Sequence, residues 1–189
     1  MDPIRVLVTG AGSAVGQGIV KALRISEIPT FIIGADIHPM STALFRTDDA
    51  VIIPKVEEEG ALPVLIDVIK RKRIRVVMIG SEFDLEFFSA HRKTLQDESG
   101  AVIVVSPLET VKIAHDKWST VEFLRTNDLP FPFSCLPENL SDAVAKASAM
   151  EYPVVLKTRT GTSSRHVHFC NTADDIARWY PVTPNPMLQ

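Results

Sequence analysis

The apolar period of this chain switches back and forth between two and about 3.6 residues, and that alternation limits its fold more than any other feature. Residues 4–9, Ile-Arg-Val-Leu-Val-Thr, read as a strand, and 14–25 read as a helix that follows a glycine turn. Strands are predicted at 30–36, around 50–53, at 75–80 and at 101–105, with helices at 62–72 and 85–95 between them. Strand followed by helix, repeated, is the pattern of parallel βαβ units. Roughly five strands in the first 105 residues suffice for an α/β, Rossmann-like, doubly wound parallel sheet with helices on both faces.

Past this point the pattern changes. Ser106-Pro107-Leu108-Glu109 reads as a capping box with proline at the first helical position. A helix is predicted over 116–127, a break at Leu129-Pro130-Phe131-Pro132, extended chain at 133–136 and a small-residue helix at 141–150. A strand at 153–157, a polar loop at 158–164 and a strand at 165–170 then form a hairpin, and Thr172 with Asp175 three residues on opens a helix to 179. Prolines 181, 184 and 186 lack donors and fix φ, so 181–189 is expected to stay irregular. The expected organisation is a domain at 1–114, a small α+β subdomain at 115–180 and a disordered tail at 181–189.

Charge and composition exclude several classes of function. Twenty basic against 23 acidic residues leave a formal charge of -3, with no broad basic field to hold a nucleic-acid backbone. Lys70-Arg71-Lys72-Arg73 is a basic run, but it ends a helix, where cations suit the carbonyl end of the dipole. Cys135 and Cys170 lack partners at metal or redox spacing and read as reduced, half-buried thiols. No apolar run reaches membrane-spanning length, and Met1-Asp2-Pro3 leads straight into a strand without a leader pattern. These features imply a cytoplasmic protein without a nucleic-acid or membrane partner.

Gly10, Gly12 and Gly16 sit where the first strand hands over to the first helix, and Asp36 ends the second strand. Such glycines permit a tight turn and let backbone N–H groups approach an anion, and an acid at this distance can hold a ribose. The spacing misses both dinucleotide fingerprints by one residue, since Val15 and Ser13 stand where each requires glycine. A close-packed turn and a substrate or phosphate site at Gly10 and Gly12 both fit the residues, and an NAD(P)-binding oxidoreductase or epimerase remains the alternative. Glu82 and Asp84 follow the fourth strand at the edge where ligands of open α/β sheets gather, placed to hold a substrate amine or to cap the next helix.

The stretch from Ser106 to Phe133 brings in a family resemblance. Asp116-Lys117, Phe123-Leu124 and Leu129-Pro130-Phe131-Pro132 resemble the junction of ATP-grasp enzymes of the carbamoyl-phosphate-synthase-like kind, and Tyr152-Pro153-Val154-Val155-Leu156-Lys157 resembles their lysine strand. The resemblance makes 1–114 a pre-ATP-grasp domain and 115–180 the first part of an ATP-binding domain. It implies that Lys117 and Lys157 reach the phosphates of ATP, with Lys157 also near the adenine. A loop carrying Arg159, Gly161, Ser163 and Ser164 would then fold over the phosphates.

The family's chemistry is a ligase reaction in which a carboxylate becomes an acyl phosphate and an amine displaces the phosphate. Its magnesium ligands lie beyond Gln189, so no metal or catalytic residue is assigned here. Thr158 stands where the family has proline, and His166 where glycine is common. His166 and His168 alternate on one strand and read as exposed. The resemblance further implies a fragment inactive alone, with a homodimer or second chain completing it; a non-catalytic substrate-binding or assembly module is the third reading.

Overall fold

The computed structural model describes residues 2–161 and 164–189. The chain divides into two compact units, Met1–Val111 and Lys112–Gln189.

The first unit runs β1 (Ile4–Thr9), α1 (Ala14–Ile25), β2 (Thr30–Asp36), β3 (Asp49–Ile52), α2 (Ala61–Arg71), β4 (Val76–Ile79), α3 (Leu85–Ala90), α4 (Arg92–Ser99) and β5 (Val102–Val104). The five strands form one sheet in the order β3-β2-β1-β4-β5, every pair parallel, with Val6 opposite Ile32 on one side and Val76 on the other. Side chains alternate across a strand. Leu7, Ile33, Val77 and Ile103 therefore share one face and pack against Leu65, Ile69, Phe88 and Leu95 from the later helices. Val6, Val8 and Ile32 take the other face, under Ile19, Val20 and Leu23 of α1. Both faces carry helices, as the alternating sequence requires.

The helix predicted over 85–95 is two helices, because His91 (φ -97, ψ 8) leaves helical geometry. The break brings Leu95 of the otherwise polar α4 into the core with Phe88, both fully buried. The basic run ends α2 as expected, with Lys70 and Arg71 in the last turn. Lys72 pairs with Asp49 at 2.8 Å, and its carbonyl accepts from Arg5 Nε at 2.6 Å.

In the second unit α5 (Leu108–His115), which begins in the first, leads to α6 (Lys117–Thr126), α7 (Leu140–Ala149), β6 (Val154–Thr158), β7 (Val167–Cys170), α8 (Ala173–Trp179) and β8 (Pro186–Leu188). Its sheet is antiparallel, in the order β7-β6-β8. Ala143 and Ala147 of α7 and Ile176 of α8 cover Val154, Leu156, Cys170 and Leu188. Small residues on α7 let that helix lie close to the sheet. Thr172 and Asp175 form the predicted capping box. Cys135 and Cys170 are free thiols, the second fully buried rather than half-buried.

Residues 133–136, expected to be extended, pair through an isolated bridge between Cys135 and Leu188. One expectation is corrected here. The tail at 181–189 is not wholly irregular, for Pro186–Leu188 pairs with β6, and Met187 and Leu188 are fully buried. Proline is tolerated as the first residue of a strand, and the two apolar residues after it outweigh its missing donor. Among the described residues no helix is long and apolar enough to cross a membrane.

Helix α1 approaches the sheet closely at two glycines. A Cβ on Gly16 would lie 2.3 Å from the Gly10 carbonyl oxygen, and one on Gly80 would lie 2.4 Å from the Thr9 oxygen. Nothing surrounds the corresponding position on Gly18, two residues along and so on the far side of the same helix. Gly16→Ala or Gly80→Ala is expected to cost about 1–3 kcal/mol in urea unfolding, whereas Gly18→Ala is expected to gain about 0.5–1 kcal/mol from helix propensity alone.

Candidate functional site

In parallel sheets the turns after the strands gather at one edge, and here β1 is flanked by β2 and β4, so the chain leaves it in opposite directions. A cavity of about 970 Å³ opens at this edge, lined by Gly10 and Gly12 after β1, Asp36 and Ser41 after β2, and Ser81 and Asp84 after β4, with apolar walls that include Ile37, Met40, Val56 and Phe83. Gly10, Gly12 and Asp84 thus meet, as their positions in the sequence suggested. Glu82 does not join them: its side chain is exposed and outside the lining.

Asp36 anchors the glycine turn. Its Oδ2 accepts from Gly12 N at 3.0 Å and its Oδ1 from His38 N at 3.1 Å. Burial alone would raise its pKa, but the nearby Ser41 hydroxyl and the amides of His38, Gly12 and Ile37 together hold it below the ordinary value. A Cβ on Gly12 would lie 2.9 Å from Asp36 Oδ2 and 2.2 Å from Ser41 Oγ. The absence of a side chain at Gly12 is therefore a packing requirement of the Asp36 contact. The Asp36 carboxylate is thus engaged, one oxygen each, by the amides of Gly12 and His38.

Asp84 behaves differently. It stands at the N-cap position of α3, yet its side chain makes no capping hydrogen bond. Burial pushes its pKa up, helped by the negative charges of Glu57 and Asp36, while the Thr9 hydroxyl beside it pulls the other way. Among the described residues no basic side chain pairs with it. Glu57, Ser41 and Thr9 escaped the sequence reading, because they come from two loops and a strand end that only the sheet topology brings together.

A second group of candidates lies within Lys112–Gln189. Asp116 caps α6, accepting from Trp118 N at 2.9 Å, and the same carboxylate forms an ion pair with Arg159 from the segment after β6. Lys117 Nζ donates to the carbonyls of Arg159 at 3.3 Å and Gly161 at 3.1 Å. Lys157 Nζ donates to Gln189 Oε1 at 2.5 Å. Burial, and then the charge of Lys117, lower the Lys157 pKa. Asp116, the acid beside Lys117 in sequence, is already taken by Arg159.

The remaining loop candidates are only partly placed. Gly161 has φ +122 and Ser164 φ +55, and both are exposed; Ser163 lies outside the described residues. Arg159 is committed to Asp116 and holds the loop to α6. His168 corrects an expectation. Its ring is not exposed but stacks on Trp179 at 4.3 Å and 7°, and burial followed by the charge of His166 lowers its pKa. Among the described residues no group of three or more His, Cys, Asp or Glu gathers as a metal site.

The two cavity acids act on stability in opposite directions with pH. Asp36, lowered in the folded protein, stabilises above the ordinary carboxylate value of 3.8, and this is lost as pH falls through its folded value. Asp84, raised, destabilises above its folded value and ceases to do so below 3.8, where it is protonated folded or unfolded. Asp84→Asn is therefore expected to raise the melting temperature at pH 7, with the gain over the unchanged protein shrinking to nothing below that value, as followed by circular dichroism.

A family model described as "PylC-like, N-terminal domain" matches residues 6–104. The carbamoyl phosphate synthase arginine-specific large chain of Cutaneotrichosporon cutaneum is 24% identical over 170 residues, covering 83% of this chain but 14% of that protein. N5-carboxyaminoimidazole ribonucleotide synthetase from Thermotoga maritima superimposes with a TM-score of 0.69 at 22% identity, over 98% of this chain and 45% of its own. The biotin carboxylase domain of Hydrogenobacter thermophilus 2-oxoglutarate carboxylase, solved with MgADP and bicarbonate, gives 0.71 at 15% identity, over 100% of this chain and 44% of its own. The chain spans less than half the length of each of these relatives. By the match over residues 6–104, more than half of its length, the chain belongs to the PylC-like N-terminal domain family, and it has the fold of the front portion of ATP-grasp ligases.

Proposed function

We propose that this chain is the nucleotide-phosphate and amine-binding front portion of an ATP-grasp ligase that joins a carboxylate to an amine. The observation that carries the reading is the charge arrangement around Lys117 and Lys157. Both ammonium groups are held by neutral oxygens, since the neighbouring carboxylate of Asp116 is bound to Arg159. Among the described residues neither has a salt-bridge partner, and Lys157 feels the charge of Lys117; two such cations fit a polyanion, which is what a nucleoside triphosphate presents.

When bound, ATP would supply the phosphoryl group that turns the carboxylate into an acyl phosphate. Lys117 and Lys157 would hold and neutralise its phosphates, and exposed Gly161 and Ser164 belong to the loop that would cover them. In the first unit the uncompensated Asp84 carboxyl, beside Gly10 and Gly12, would orient the attacking amine through its N–H groups. No magnesium ligand is assigned to this chain. Catalysis would require the remainder of the ATP-grasp domain, as a continuation, a second chain or a homodimer, and the 189-residue chain alone is expected to turn over no ATP.

Calorimetric titration with MgADP tests the site. Lys117→Met and Lys157→Met are each expected to weaken binding about tenfold, which is about 1.4 kcal/mol. An affinity unchanged in the double variant would overturn the assignment, and ATP hydrolysis by the chain alone would overturn its dependence on a missing part.

A further inference from the structure

The amide of Gln189 raises a question that the nucleotide reading leaves open: how a flexible lysine is aimed without losing the charge it needs. Lysine donates only, so the amide must present its oxygen to Lys157 and its nitrogen elsewhere. The nitrogen, Nε2, donates to Ser134 Oγ at 3.1 Å, and Ser134 Oγ donates in turn to the Pro132 carbonyl at 2.9 Å. Backbone bonds fix both ends of this chain of contacts. Gln189 exchanges hydrogen bonds with Val155 at 2.9 and 2.7 Å, and Leu188 exchanges two with Cys135 at 3.0 Å. Gln189 thus has one direction in which to point, and Lys157 is tied through it to the Leu-Pro-Phe-Pro-Phe segment.

We propose that Gln189, held by Ser134, is a positioning residue that aims the Lys157 ammonium while leaving its positive charge uncompensated. This rests on the nucleotide reading of Lys157. A carboxylate at the same place would hold the ammonium more strongly, but as an ion pair that competes with a phosphate for it. An aliphatic residue would release the ammonium to its several rotamers, with the entropy of re-ordering to be met on binding. A neutral amide avoids both. The carbonyls of Arg159 and Gly161 hold Lys117 in the same way.

The test uses the 189-residue chain with Gln189→Glu, Gln189→Ala and Ser134→Ala, read by MgADP calorimetry and by titration of the Lys157 side chain in carbon-13 NMR, with Lys157→Arg to assign its resonance. Gln189→Glu is expected to move the Lys157 titration upward and to weaken MgADP about tenfold, while Gln189→Ala and Ser134→Ala weaken it about threefold without that upward move. A purely structural role would not separate Glu from Ala by the Lys157 titration. MgADP affinity unchanged in Gln189→Glu overturns the positioning role while leaving the nucleotide reading intact. A wild-type chain that takes up no MgADP overturns the nucleotide reading; in that case an upward move of the Lys157 titration still confirms the contact, and an unmoved one overturns it as well. Ser134→Ala reports on the same network from another segment should changes at Gln189 disturb the fold.

Discussion

Parallel pairing of β1 with β2 on one side and β4 on the other is the constraint on which the first unit depends. It places three unrelated turns at one sheet edge, and it brings α1 down so closely that no side chain fits at Gly16 or Gly80. Ser13 ties the arrangement together, accepting from Gly16 N while donating to the Gly80 carbonyl at 2.5 Å. The turn that appears in sequence as a defective dinucleotide fingerprint is, in the fold, a packing device. Its hydrogen bonds to Asp36 and Gly80 set the glycine floor of the cavity, whose walls are larger apolar residues and whose rim carries Asp84.

In the second unit a single allocation of charge has the comparable role. Asp116 has two claims on it, the Trp118 amide and the Arg159 guanidinium, and meeting both leaves none of its charge for Lys117. Ion pairing lowers the Asp116 pKa against the opposing effect of burial. The pair also joins the start of α6 to the segment after β6, so the loop at 159–161 is attached at its root while its exposed part stays outside the core. Structure and electrostatics are not separable here: the contact that fastens the loop takes up the carboxylate nearest Lys117 in sequence, and among the described residues neither Lys117 nor Lys157 has a salt-bridge partner.

Much of this was legible in the sequence, and what was not has a physical cause. Alternating periods gave the parallel sheet, and the spacing of Asp116-Lys117 and Tyr152–Lys157 pointed to the lysine pair, because local patterns and short motifs are properties of neighbouring residues. The amides of Gly12 and His38 that bind Asp36 are brought to it by the turn and cannot be read from spacing. The pairing of Arg159 with Asp116 is invisible in sequence, because a loop arginine near a lysine looks alike whether free or paired. The stacked His168 was read as exposed because its partner Trp179 lies on the helix that follows, a contact visible only once β7 and α8 are folded together. The tail was misread for a related reason: its prolines are local signals, whereas the value of burying Met187 and Leu188 depends on β6 and Cys135.

The place of β8 has a consequence for how such a chain is made. Leu188 is fully buried and bridges two segments, β6 and Cys135, that come off the ribosome 30 to 53 residues earlier. All five strands of the first unit are by contrast complete by Val104. At ordinary synthesis rates of about 5–20 residues per second, the first unit has several seconds in which to fold while the second still lacks its third strand. During that interval Val155 and Leu156 present an open strand edge, the kind of surface that invites wrong pairing. Quality control by the cell would therefore act on the second unit, and a chain that stopped a few residues before β8 would keep its cavity but lose the support of its lysine strand.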